Sequence, residues 1–73
     1  MRETAIKDRT WMEKARRDKG LTQLEVAQAI GVTAAYYNRL EKGFYTPSVV
    51  AGIKICDYLG LNVRAFLSER TIK

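Results

Sequence analysis

Apolar residues recur along this chain at steps of three and four, and nowhere in sustained alternation. The clearest run, LTQLEVAQAIGVTAAYYNRLEKG over residues 21–43, puts Leu24, Val26, Ala27 and Ile30 on one helical face. After a break, Ala34, Ala35, Tyr37 and Leu40 continue the same period. Thr22 followed three residues later by Glu25 has the spacing of a capping box, in which the threonine oxygen accepts a free first-turn N–H and the glutamate accepts the threonine N–H. A helix is therefore predicted to start at Gln23. Gly31 can take the left-handed conformation that ends it, Gly31-Val32-Thr33 forms the turn, and Gly43 supplies a second stop. Two helices of about eight to ten residues joined so tightly cannot lie antiparallel and must cross steeply, as in a helix-turn-helix.

The flanks extend the pattern. Thr10 and Glu13 repeat the capping-box spacing, which predicts a helix over 11–19 closed by Gly20, with Met12, Ala15 and Trp11 inward and Lys14, Arg17 and Lys19 in water. Thr46-Pro47 reads as N-cap and first helical residue of a helix over 47–59. Gly60 ends it, and Asn62 can cap a fifth helix whose apolar side is Val63, Phe66 and Leu67. In residues 1–9 only Ala5 and Ile6 could pack, so a flexible arm is expected; residues 68–73 show no period and read as a frayed tail. The predicted fold class is all-α, five short helices around one small core, with 1–73 as a single domain.

Length and charge narrow the function. At 73 residues the chain is near the lower limit for a self-sufficient core, and no second catalytic or effector-sensing domain is expected. Thirteen Lys and Arg against eight Asp and Glu give a net charge of +5, the footprint of a nucleic-acid binder, although many small basic proteins share it. Cys56 is the only cysteine, which excludes an intrachain disulfide, points to a reducing compartment and, within an apolar helical pattern, predicts packing rather than reactivity. No apolar run approaches the roughly 18 residues of a membrane span, and the N-terminus lacks the order of a signal peptide, so a cytoplasmic protein is expected. There is no histidine, no cluster of metal-ligand type, no Gly-rich phosphate loop and no nucleophile-base pair. Neither an enzyme nor a metal or cofactor is expected.

The string LTQ, Ala27, Gly31-Val32 and RLEKG, preceded by RRDKG and followed by TPS and IKICDYLGL, resembles the lambda-repressor/Cro-like helix-turn-helix family of transcriptional regulators, the xenobiotic-response-element type, over residues 11–67. The resemblance implies that the helix starting near Thr33 is a recognition helix lying in the DNA major groove, while the helix from Gln23 crosses its edge. By matching motif position, Thr33, Ala34, Ala35, Tyr36 and Arg39 would reach bases, with Tyr37 and Leu40 on the buried side. The fork of Arg39 matches the O6 and N7 acceptors of guanine, and could instead hold phosphate or stand in water. Ala34 and Ala35 suit thymine methyls or a close backbone approach, or are simply good helix formers. Tyr36 is expected to face DNA because Tyr37 takes the inward place, and Asn38 is expected to be solvated. Gln23 is implied in a phosphate or base contact, and Lys42, Tyr45 and Thr46 border the helix where phosphates would lie.

Further implications concern the scaffold and assembly. Arg16 and Glu41 match a structural ion pair between the first and third helices. Val49, Gly52, Ile55, Cys56 and Leu59 fall on the family's core stripe, where Gly52 replaces a larger residue and leaves space for Trp11 or Phe66. In related proteins the dimer contact lies near the C-terminal end, here the fifth helix with Val63, Phe66 and Leu67 and the end of the fourth, unless Phe66 folds inward over Gly52. The function implied is a sequence-specific regulator, of repressor, Cro-like or controller type, that binds double-stranded operator DNA as a homodimer. The alternative is a protein-protein interaction module or antitoxin on the same fold, for which the interleaved Tyr36, Phe44 and Tyr45 would serve. Steep salt dependence of DNA binding separates the two.

Overall fold

Side-chain caps open three of the helices of this protein, and the described residues hold four helices rather than five. The computed structural model describes residues 6–69. Along them run α1 (Thr10–Asp18), α2 (Gln23–Ile30), α3 (Ala34–Glu41) and α4 (Val49–Leu59), followed by a 3-10 turn, Val63–Phe66. The capping box before α2 forms as expected: the Glu25 N–H donates to Thr22 Oγ1 at 3.1 Å and the Thr22 N–H to Glu25 Oε1 at 2.7 Å. Gly31, at φ 82°, closes α2 in the left-handed conformation. Thr33 Oγ1 accepts the Tyr36 N–H at 3.1 Å and opens α3.

At α1 and α4 the start differs from the expected one: α1 has no side-chain cap at its N-cap residue Arg9, and the α4 cap falls on another residue. Thr10 is itself the first helical residue, because Asp8 supplies the acceptor: Asp8 Oδ1 takes the Thr10 N–H at 3.1 Å and its hydroxyl at 2.9 Å. The α4 cap is Ser48, whose Oγ accepts the Ala51 N–H at 3.1 Å, so Thr46 and Pro47 stay outside the helix. Asn62 does cap the last element, its Oδ1 accepting the Arg64 N–H at 2.9 Å. With four residues, of which only Phe66 packs inward and none is fully buried, however, that element is too short and too thinly packed to sustain a helix, and it remains a 3-10 turn.

The core is built from Met12, Val26, Ala27, Ile30, Tyr37, Leu40, Ile55 and Leu59, with Trp11, Ala15, Leu21 and Phe66 packed around it, and Cys56 is buried beside it. Two expected members are absent. Leu24 is 52% exposed because it lies roughly 110° around the helix from the centre of the stripe formed by Val26, Ala27 and Ile30; Gln23 takes the inner place in that turn. Val49 is 79% exposed, opening α4 at the rim of an apolar groove instead of under a neighbouring element. Phe66 fills the space at Gly52, its ring 3.6 Å from where a methyl group there would stand, and meets Trp11 edge to face at 5.0 Å.

The described ends of the chain also depart from the expected arm and tail. The Lys7 N–H donates to the Gly43 carbonyl at 3.1 Å, Arg9 is 3% exposed, and the Glu69 carboxylate pairs with it. A buried guanidinium needs acceptors, and those acceptors draw both ends onto the body of the fold. Residues 1–5 of the expected arm and 70–73 of the expected tail lie outside the described residues. No helix of the described residues is long and apolar enough to cross a membrane.

Candidate nucleic-acid interface

The outward face of α3 is defined by what its inward face buries. Tyr37 and Leu40 are wholly inside, which turns Ala35, Arg39 and the capping Lys42 outward, with Thr33 exposed at the helix start and Tyr45 and Thr46 exposed beyond its end. Arg39 forms no ion pair among the described residues, so its planar fork is available to an acceptor outside the chain. Ala34 is half-buried and packs against the core, which removes much of it from an outward surface. Tyr36 is half-buried too; its ring lies 5.8 Å from that of Tyr45, tilted by 32°, so the two aromatics stand as a pair at the edge of the helix. The structure thus gathers Thr33, Ala35, Tyr36, Arg39, Lys42, Tyr45 and Thr46 on or beside α3.

Gln23 and Asn38 are placed differently from the sequence reading. The Gln23 amide donates to Glu41 Oε1 at 2.8 Å and its oxygen accepts from Asn38 Nδ2 at 3.0 Å, so both ends of Gln23 are engaged within the protein. Asn38 is correspondingly a bridge between α2 and α3 and not a solvated side chain. The cause is the helical phase that turned Leu24 outward, which aims Gln23 at α3. Glu41 is the hub: Arg16 Nε and Nη2 donate to its two oxygens at 2.8 and 3.0 Å, and Arg16 Nη1 ties the Leu21 carbonyl at 2.8 Å. Burial pushes the Glu41 carboxyl up, but the hydrogen bonds from Arg16 and Gln23, helped by the Arg16 charge, outweigh it and hold the group below the usual carboxylate range. Tyr37 lies close enough to feel that charge, yet its hydroxyl is buried without a formed hydrogen bond, and burial followed by the Glu41 carboxylate pushes the phenol well above its ordinary value.

Of the residues expected at a dimer contact, Val63 and Leu67 are exposed, Leu67 at 84%, while Phe66 turns inward over Gly52. The sequence reading missed Arg9. Its partners are 31, 36 and 60 positions away, and no local pattern separates a buried arginine from a solvated one before the fold is known. Among the described residues no three His, Cys, Asp or Glu side chains gather as a metal site.

Two short capped helices, the second held by a buried stripe and presenting a cation on its free face, define a helix-turn-helix domain of the kind that docks in a DNA groove. The chain belongs to the helix-turn-helix family of lambda-repressor/Cro type, DNA-binding transcriptional regulators, whose pattern matches residues 12–66. It is similar to YqaF of Bacillus subtilis, an HTH-type transcriptional regulator, at 41% identity over 61 residues, 84% of this chain and 80% of that protein. Among solved structures it is similar to the clp gene regulator ClgR of Corynebacterium glutamicum, at 34% identity and TM-score 0.66 over 77% of this chain and 73% of that one. It is also similar to the restriction-modification controller protein C.AhdI of Aeromonas hydrophila, at 28% identity and TM-score 0.66 over 73% and 80%.

Proposed function

We propose that this protein regulates transcription by binding an operator in double-stranded DNA as a homodimer, with α3 of each copy in the major groove. The observation that carries this reading is the free face of α3, with Arg39 outward and unpaired among the described residues, fixed from behind by Tyr37, Leu40 and the Arg16–Glu41 pair. Arg39 specifies a base, Ala35 lets the helix approach closely, Tyr36 and Tyr45 act as a pair at the edge, and Thr33, Lys42 and Thr46 hold flanking phosphates. Gln23 reaches the backbone only through its N–H at the dipole-positive start of α2, since its side chain is committed to Glu41 and Asn38. Dimerisation uses the exposed apolar residues Val63 and Leu67, which with Val49 border a groove of about 380 Å³, together with the exposed Val50 and Ile53 of α4. The reading places the protein in the cytoplasm and suits a small controller or repressor acting on its own operator.

Selection of bound sequences from a random duplex pool tests this reading. The expected product is a pair of inverted half-sites whose centres lie about one helical turn apart. Enrichment of no sequence, with binding insensitive to salt, would contradict it and favour a protein-binding module.

A further inference from the structure

Arg9 spends four of its five N–H donors inside the protein. Its Nη1 donates to the carbonyls of Leu40 and Tyr45, each at 2.7 Å. Its Nε and Nη2 form a fork onto the two oxygens of Glu69, the second at 3.1 Å, and its guanidinium lies over the Phe66 ring at 5.2 Å. Trp11 Nε1 adds a third donor to Glu69 at 3.2 Å. Leu40 is in the last turn of α3, where its carbonyl accepts only the Gly43 N–H from the backbone and positive charge is favoured; Tyr45 lies in the segment that follows. The backbone just before Arg9 reinforces the contact: Lys7 pairs with the Gly43 carbonyl, and a side chain at Gly43, at φ 85°, would stand 2.0 Å from the Lys7 oxygen.

We propose that Arg9 and Glu69 are positioning residues for DNA reading, a tie through which the C-terminal segment fixes the end of the recognition helix and the segment bearing Tyr45 and Thr46. The inference rests on the DNA-binding reading above. Without the Glu69 carboxylate the Arg9 charge is buried and uncompensated, so the guanidinium turns toward water and releases the Leu40 and Tyr45 carbonyls. The start of α3 keeps its own anchors, the Thr33 cap and Tyr37. The loss therefore falls on Arg39, Lys42, Tyr45 and Thr46, while neither member of the tie touches a phosphate.

Glu69→Gln in the full chain tests the tie by amide hydrogen exchange and by titration with a duplex enriched from random DNA by the wild-type protein. The amides of Gly43 and Phe44, which close α3 on the Leu40 and Arg39 carbonyls, are expected to exchange about three- to thirty-fold faster, with those of Ile55 and Leu59 in α4 little changed. Duplex affinity is expected to fall by a similar factor with the salt slope unaltered. Equal acceleration in α3 and α4, or none, overturns the tie. Localised acceleration with unchanged duplex affinity overturns its role in reading. If the wild type enriches no duplex, the DNA-binding reading itself fails, and with it the positioning role. Should Glu69→Gln not fold, Trp11→Phe removes one donor to Glu69 while keeping the charges paired, and is expected to show the same pattern more weakly; its absence there overturns the proposal equally.

Discussion

Glu41 shows how a single residue can hold two helices in register and set the acid limit of the fold. It receives Arg16 from α1 and Gln23 from α2, and the Arg16 guanidinium is itself held in its charged form chiefly by the hydrogen bond to Glu41. Removing the carboxylate leaves a buried guanidinium uncompensated, so Glu41→Ala is expected to cost about 3–5 kcal/mol of folding stability in urea at neutral pH. A chain of this length holds only about 4–11 kcal/mol in total. Because the folded carboxyl titrates below its unfolded value, its contribution is complete above the ordinary glutamate pKa of about 4.3 and is lost as pH falls through the lower folded one. The gap in urea midpoint between wild type and Glu41→Gln should accordingly narrow on acidification; a gap independent of pH would show that the carboxylate is not ionised in the fold. The pairing of Arg16 with Glu41 was legible through the family resemblance, whereas the engagement of Gln23 depended on the exact phase of α2, which shifts by 100° with each residue.

At the level of elements, the choice between two neighbouring hydroxyls decides where α4 starts. Ser48→Ala is expected to destabilise the protein by about 0.5–2 kcal/mol, and Thr46→Ala to leave the thermal midpoint nearly unchanged. The reverse order would return the cap to Thr46. The four helices were readable because each carries an apolar stripe at helical spacing and three of them a hydroxyl cap; α2 and α3 in particular begin where Thr22 and Thr33 say they should. Proline at position 47 suggested the wrong start, since its preference for a first helical position is equally met by the extended backbone just before one. The fifth helix does not form for a different reason: Val63, Phe66 and Leu67 supply apolar residues, but only Phe66 finds a cavity to enter, and a four-residue segment held by one inward side chain does not propagate. Arg9 and Glu69 were invisible at this scale, being a contact between the two ends of the chain.

For the molecule as a whole, a net charge of +5 supplies attraction to any duplex, so affinity by itself says little about reading. On the proposed reading, specificity comes from the α3 face and, for a site longer than one half, from a second copy. Leu67→Asp is expected to abolish the dimer in sedimentation equilibrium and to weaken operator binding while leaving the fold intact, since Leu67 is 84% exposed. A mutant that sediments and binds as the wild type would move the interface elsewhere. The proposed reading of base edges by α3 through Arg39 is decided by competition binding of Arg39→Ala against operator variants changed one base pair at a time. The expected result is an affinity loss of about 1–3 kcal/mol confined to the discrimination of one base pair in each half-site, with the other preferences retained. Uniform weakening across all variants, or no weakening, would contradict it.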